Sequence, residues 1–286
     1  MRTRNFIIAL FSTFTLLTGC NKDTNENVYT PEVTQDDMSA SVKTEAAVED
    51  LSSVVLEQLG ELNLSARTTS VEKQTPACAL VSISPQGPYT AGQILTKTVD
   101  FGTTGCTMPN GNILKGKIII KFTYQPKATS HTLTYTFENF SHNDIKVEGT
   151  RSITITKGIS TANLNEHLIF KIDLNLTVTL ENGKILKITG AKTREIIEGQ
   201  GTPDLSDNVY QITGSWETVF PSGTVRSANI TSPLIVKVNC PFIVKGIISY
   251  TKLDKTAATL DFGNGECDNK ASLTINGINY SIILRK

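Results

Sequence analysis

Little in this chain is chemically conspicuous: its 286 residues hold one Trp, three His and three Met. Lys plus Arg balance Asp plus Glu at 27 each, so the formal net charge is zero. That balance excludes the basic footprint of a nucleic-acid binder, and no nucleic-acid partner is expected. The five Cys lack Cys-x2-Cys spacing and the His are unpaired, which removes the usual zinc arrangements, so no metal or cofactor is assigned. There is no Gly-x-Ser-x-Gly elbow for a serine hydrolase. No alternation of strands with helices appears either, and a parallel sheet is thereby disfavoured.

What is present begins at the N-terminus. Arg2 and Arg4 precede an apolar run from Phe6 to Leu17, and Leu17-Thr18-Gly19-Cys20 follows. The run is too short to cross a bilayer and has the order of a secretory leader. Its ending resembles that of bacterial lipoproteins, which implies cleavage after residue 19 and a diacylglycerol on Cys20. Palmitate and companion chains would hold the protein to a membrane, each buried methylene contributing roughly 0.8 kcal/mol. Asn21 in place of Asp resembles the sorting habit that sends lipoproteins to the outer membrane. The expected address is therefore the cell envelope, lipid-anchored, on either the periplasmic or the surface face.

Residues 20–35 are polar and aperiodic and read as a flexible tether. Over 36–63, Val48, Leu51, Val55, Leu59 and Leu62 recur at helical spacing behind Asp36 and Asp37, predicting one amphipathic helix from about 37 to 61. From 75 to 286 the period changes to two. Thr132-Leu133-Thr134-Tyr135-Thr136-Phe137 and Ser152-Ile153-Thr154-Ile155-Thr156 alternate polar with apolar, as strands with one wet face do. Asn182-Gly183 splits 166–180 from 184–197, Ser222-Gly223 splits 209–220 from 224–238, and Asn276-Gly277 divides the last pair, each read as a two-residue hairpin turn. The expected class is all-β: an antiparallel meander forming a sandwich or an open curved sheet or half-barrel, with one N-terminal helix.

The β region contains a repeat, at 78–123 and 240–284. Thr98-Val99-Asp100-Phe101-Gly102 reappears as Thr259-Leu260-Asp261-Phe262-Gly263, each with one Cys before it and one after. Cys78 and Cys106 are 28 residues apart, Cys240 and Cys267 are 27 apart. In an exported chain these pairs predict the disulfides Cys78–Cys106 and Cys240–Cys267, each stabilising by roughly 3 kcal/mol. Phe101 and Phe262 read as core anchors, and Asp100 and Asp261 as acceptors of backbone hydrogen bonds across a turn. Asp261, Asn264, Glu266 and Asp268 crowd one loop and form a calcium candidate, though their spacing is not that of an EF-hand. The stretch Asp261 to Gly277, ending a lipobox-bearing chain, resembles a group of uncharacterised lipoproteins from Bacteroidetes. That resemblance implies an envelope location and an antiparallel β fold, and it carries no functional residue.

The remaining candidates for chemistry are few. His131, His142 and His167 each begin a strand or sit in a polar turn and read as solvated. Glu195 and Glu198 are expected on opposite sides of a strand, and Ser215-Trp216-Glu217 offers either a sugar-stacking Trp or a core residue, the core being favoured. No catalytic residue is assigned. Three functions are open: a non-catalytic envelope lipoprotein binding a protein or glycan or serving structurally; a carrier of lipid or another hydrophobic ligand in a curved sheet; and a two-carboxylate hydrolase, which requires its carboxylates about 5–10 Å apart in a cleft.

Overall fold

The computed structural model describes residues 35–59, 75–108, 111–200, 202, 207–252 and 255–284. The leader, Cys20, the tether up to residue 34 and the end of the expected helical segment lie outside them.

The helix α1 spans Gln35–Leu59. No Gly or Pro interrupts it, and Ala, Glu and Leu supply strong helix propensity. Asp36 and Asp37 occupy its first turn, where carboxylates complement the positive end of the helix dipole. Its apolar stripe is buried, Met38, Val48, Leu51, Val54 and Val55 among it. No helix among the described residues is long and apolar enough to cross a membrane.

The strands follow in chain order. The first are β1 (Leu80–Ser84), β2 (Ile94–Asp100), β3 (Cys106–Thr107), β4 (Ile113–Thr123), β5 (Ser130–His142), β6 (Ile145–Gly158) and β7 (His167–Thr179). They continue as β8 (Ile185–Glu198), β9 (Val209–Val219), β10 (Val225–Lys237), β11 (Ile243–Lys252), β12 (Lys255–Asn264), β13 (Lys270–Ile275) and β14 (Ile278–Ile283). All belong to one 14-stranded open sheet in which each strand pairs antiparallel with its successor, except that β3 pairs only β4 and β2 passes directly to β4. A single sheet with one helix is thus the architecture, rather than two packed sheets.

Two of the three expected turns differ in detail. At Glu181-Asn182-Gly183 and Pro221-Ser222-Gly223 the loop has three residues, closed by hydrogen bonds from Leu180 to Lys184 and from Phe220 to Thr224, with the Gly at positive φ. That is a tight turn followed by a bulge, which tolerates Ser or Asn before the Gly. Asn276-Gly277 is the two-residue form expected, both residues having positive φ, 49° and 80°.

Alternation divides the sheet into an inner and an outer face. Phe170, Ile172, Leu174, Leu176 and Val178 of β7 are buried, and Lys171, Asp173 and Asn175 between them are exposed. The inner face is one continuous apolar cluster from Val99 on β2 to Leu273 on β13, and the helix residues Val48, Leu51, Val54 and Val55 belong to it. The outer face is polar, mixing charged residues such as Lys171 and Asp173 with Thr and Asn; Thr132 and Thr154, for example, hydrogen-bond across β5 and β6 at 3.1 Å.

Both disulfides form as expected, with Cα atoms 5.8 Å apart for Cys78–Cys106 and 5.7 Å for Cys240–Cys267. Cys78–Cys106 ties the segment before β1 to β3, and Cys240–Cys267 ties the β10–β11 loop to the β12–β13 loop. Asp100 and Asp261 each accept a hydrogen bond from the Gly two residues on, at 2.9 and 2.8 Å. Breaking one bridge by a Cys→Ser pair, Cys78/Cys106 or Cys240/Cys267, is expected to lower unfolding free energy by about 3 kcal/mol. Urea denaturation checks this, and an unchanged midpoint in both pair variants would contradict it.

Candidate functional site

The helix crosses the strands instead of running along them, and polar contacts mark its path. At its N-terminal end Asp37 meets Arg226 of β10 at 3.3 Å. Glu45 and Glu49 then meet Lys192 of β8, the latter at 2.9 Å, and Glu49 also faces Arg194 at 3.7 Å. Arg151 of β6 donates to the Val48 carbonyl and to the Ser52 hydroxyl, each at 3.2 Å. Asp50 takes hydrogen bonds from His142 at the end of β5 and from Asn112 beside β4, both at 2.7 Å. Last, Lys97 of β2 donates to the Gln58 carbonyl at 3.1 Å. From Asp37 to Gln58 a helix rises about 32 Å, and from β10 to β2 the sheet steps seven strand spacings, about 34 Å. The two lengths match, so each acidic group reaches one particular strand.

Local sequence explains the sheet half of this seam. Leu186, Ile188, Lys192, Arg194 and Ile196 share the inner phase of β8, Arg151 shares it with Ile153 and Ile155, and Arg226 with Ala228 and Ile230. Aromatic rings receive the cations. Lys192 Nζ lies 4.5 Å over Trp216, Arg194 4.1 Å over Tyr210, Arg226 4.6 Å over Phe220 and Arg151 5.4 Å over Tyr135. A ring face attracts a cation more strongly once water is removed, which helps buried guanidinium nitrogens such as Arg226 Nε, unpaired among the described residues.

The protonation energetics follow from burial. Desolvation raises the Glu45 carboxyl above its usual range against the pull of Lys192. Burial acts on Glu49 in the same sense, but Lys192 and Arg194 together hold it below the usual carboxylate range. For Lys192, burial alone disfavours the ammonium; the two glutamates reverse that and leave it above the ordinary lysine value. Burial pushes the Tyr135 hydroxyl up to about 12 and also raises those of Tyr210 and Tyr250. Glu45, Lys192, Tyr135 and Tyr250 lack the solvent access a reacting acid or base needs. The space beside the helix, lined by Thr44, Val48, Leu174, Leu186 and Trp216 among others, encloses about 10 Å3, at most the room for one water.

Two histidines depart from the solvated reading. His142 is buried because it falls two residues after the buried Phe140, on the inner phase, where its Nε2 hydrogen-bonds Asp50 Oδ2. His167 is buried at the other rim, with Nε2 2.9 Å from Glu195 Oε2 and Nδ1 2.8 Å from the Asn165 carbonyl. Ser160 donates to the same Glu195 oxygen at 2.5 Å. A catalytic triad needs the hydroxyl on the imidazole; here it goes to the carboxylate, and the group closes the β6–β7 loop. Glu195 is buried and Glu198 exposed. Trp216 is inner and Glu217 outer, so the two do not share a surface that could hold a sugar.

Asp261 and Asp268 each spend a carboxylate oxygen on a backbone N–H, of Gly263 and Lys270. Among the described residues no group of three or more His, Cys, Asp or Glu is placed to share a metal ion. The acidic partners on α1 are the part that sequence reading missed. The available signal was the phase of the strands, which puts Lys97, Arg151, Lys192, Arg194 and Arg226 among core residues. Set against known proteins, the chain matches no family model, no curated protein and no solved structure.

Proposed function

We propose that this chain is a membrane-anchored envelope lipoprotein with a non-catalytic, structural or binding role, held by lipid on Cys20 and presenting the outer face of its sheet. The observation that carries the reading is the occupation of the inner face by α1. A carrier needs an apolar cavity of several hundred Å3 for its ligand; among the described residues the space between the middle of the helix and β7–β9 is about 10 Å3. The seam of ion pairs and hydrogen bonds from Asp37 to Lys97 holds the helix there at six places along its length, so the helix acts as core and not as a loose cover. A hydrolase finds no support in Glu45 and Glu49, whose carboxylates are held on Lys192 between the helix and the sheet.

Two measurements test this. Titrating the full chain with a fluorescent fatty acid should give no saturable signal; stoichiometric uptake would favour the carrier instead. Replacing Cys20→Ser should move the protein from the membrane to the soluble fraction and end incorporation of labelled palmitate. Continued membrane attachment of that variant would remove the anchor from the reading.

A further inference from the structure

The repeat places one free sheet edge in register with an edge that is covered elsewhere in the same chain. On β2, Thr98, Val99 and Asp100 pair with Ser82, Val81 and Leu80 of β1. On β12, the repeated Thr259, Leu260 and Asp261 pair with Ser249, Ile248 and Ile247 of β11. So β1 is the counterpart of β11, Leu80-Val81-Ser82-Ile83 standing where Ile247-Ile248-Ser249-Tyr250 stand. The other edge of β11 is taken by β10, with Ile230 opposite Ile248, Asn229 opposite Ser249 and Ala228 opposite Tyr250. Among the described residues, nothing pairs with the corresponding edge of β1, nor with the outer edge of β14.

Both edges lack the usual protection. An exposed edge is normally blunted by Lys, Pro or a bulge, and neither Leu-Val-Ser-Ile-Ser nor Ile-Asn-Tyr-Ser-Ile-Ile contains a charge or a Pro. Apolar side chains stand out there, Leu80 at 73% exposed, Val81 at 44%, Ile278 at 59% and Ile283 at 60%. The strands are matched in length at five and six residues. Asn279-Tyr280-Ser281-Ile282 of β14 also repeats the polar and apolar order of Ser227-Ala228-Asn229-Ile230, the segment of β10 that covers β11.

We propose that β14 of one copy of this chain adds antiparallel to β1 of a second copy, joining sheets head to tail. In the register that β10 and β11 use, Ile282 lies opposite Val81, Ser281 opposite Ser82 and Tyr280 opposite Ile83. Tyr280 and Ile282 already pack against the core, so the inner faces of the two copies become continuous. On the outer face Ile283 meets Leu80, and each covers the other's exposed surface. The contact uses two different surfaces, so it propagates into a ring or an open filament rather than stopping at a symmetric pair.

The test uses the full chain in a Cys20→Ser background, where the remaining native cysteines are paired in the two disulfides. Ser82→Cys and Ser281→Cys are made separately, both at exposed positions, then mixed and oxidised. The expected product is the mixed disulfide, in roughly tenfold excess over either self-linked dimer, as about 1.4 kcal/mol of preference gives. Mostly self-linked 281–281 or 82–82 dimers, or no cross-link, would overturn the proposal. Sedimentation of the Cys20→Ser parent, with both native disulfides intact, should show association rising with concentration. Ser82→Lys with Ser281→Lys should weaken it at least roughly tenfold, since like charges then face each other, and Ser82→Lys with Ser281→Glu should restore it. A parent that stays monomeric, or association indifferent to both charge pairs, sinks the head-to-tail contact.

Discussion

Replacing Lys192→Met is expected to destabilise the protein by about 3–5 kcal/mol, the usual cost of removing one partner from a buried ion pair. Lys192 is the only ammonium within contact of both Glu45 and Glu49 among the described residues; Lys192 and Glu45 are buried and Glu49 is nearly so. Met keeps most of the aliphatic stem and its packing on Trp216, so the loss reports charge more than volume. Arg194 remains 3.7 Å from Glu49 and cannot serve Glu45 as well. The triple variant Glu45→Gln, Glu49→Gln, Lys192→Met should recover much of the loss, because no charge is then left unpaired. Urea midpoints at pH 7 measure both effects. A loss below about 1 kcal/mol, the size of a surface pair, would mean that water reaches the seam.

The pH dependence separates the partners. Glu49 lies below its ordinary value, so it contributes stability above the unfolded carboxylate pKa that is lost as pH falls through the folded one. Lys192 lies above its ordinary value; its contribution is complete below the unfolded lysine pKa and is lost as pH rises through the folded one. Glu45 is raised and has the opposite sign to Glu49, binding its proton more tightly in the folded state and offsetting part of the acid loss. In Lys192→Met both carboxylates lose their ammonium, so that variant should gain stability between pH 7 and pH 5 where the parent does not. A parallel pH profile for the two proteins would count against the shared ion pair.

The strands were readable because two signals agree along them. Inner and outer residues alternate without a break from Phe170 to Val178, and a Gly stops the pattern at 183, so β7 and β8 fall within a residue or two of the expected 166–180 and 184–197. The helix was readable for the same reason, its stripe through Val48, Leu51 and Val55 ending up buried. The seam was not. Strand phase shows that Lys192 and Arg194 point inward, but their neutralising groups are more than 140 residues away on α1, and nothing local marks Glu45 and Glu49 as different from solvated helix acids. His142 differs for a related reason: Ser141-His142-Asn143-Asp144 has the composition of a wet turn, but β5 runs on to residue 142, and strand phase turns the ring inward where Asp50 on α1 receives it. Open sheet against sandwich was undecidable from alternation, since both need one buried face on every strand.

Leu51→Asp should be more disruptive still, costing about 5 kcal/mol or more, because it removes a fully buried side chain and puts an unpaired carboxylate in its place. Leu51 has no exposed surface and joins a cluster that runs from β2 to β13. With typical domain stabilities of about 5–15 kcal/mol, a loss of this size removes roughly a third or more of the folding free energy. Leu51→Ala, which leaves a cavity but no charge, should cost about 3 kcal/mol and keep the fold. Ser39→Asp, at an exposed position near the start of the same helix, should change stability by no more than about 0.5 kcal/mol. The way Leu51→Ala unfolds matters as much as how easily it does so. If α1 were a detachable cover, the helix would leave first and the sheet would melt later, giving two transitions by circular dichroism and Trp216 fluorescence. The inner face under α1 holds Leu95, Ile118, Tyr135, Ile153 and Leu186, all essentially without exposed surface, and a sheet stripped of its helix would present these to water. Uncovering them costs more than the sheet's own hydrogen bonds can hold together, so both signals should change in a single transition at one urea concentration.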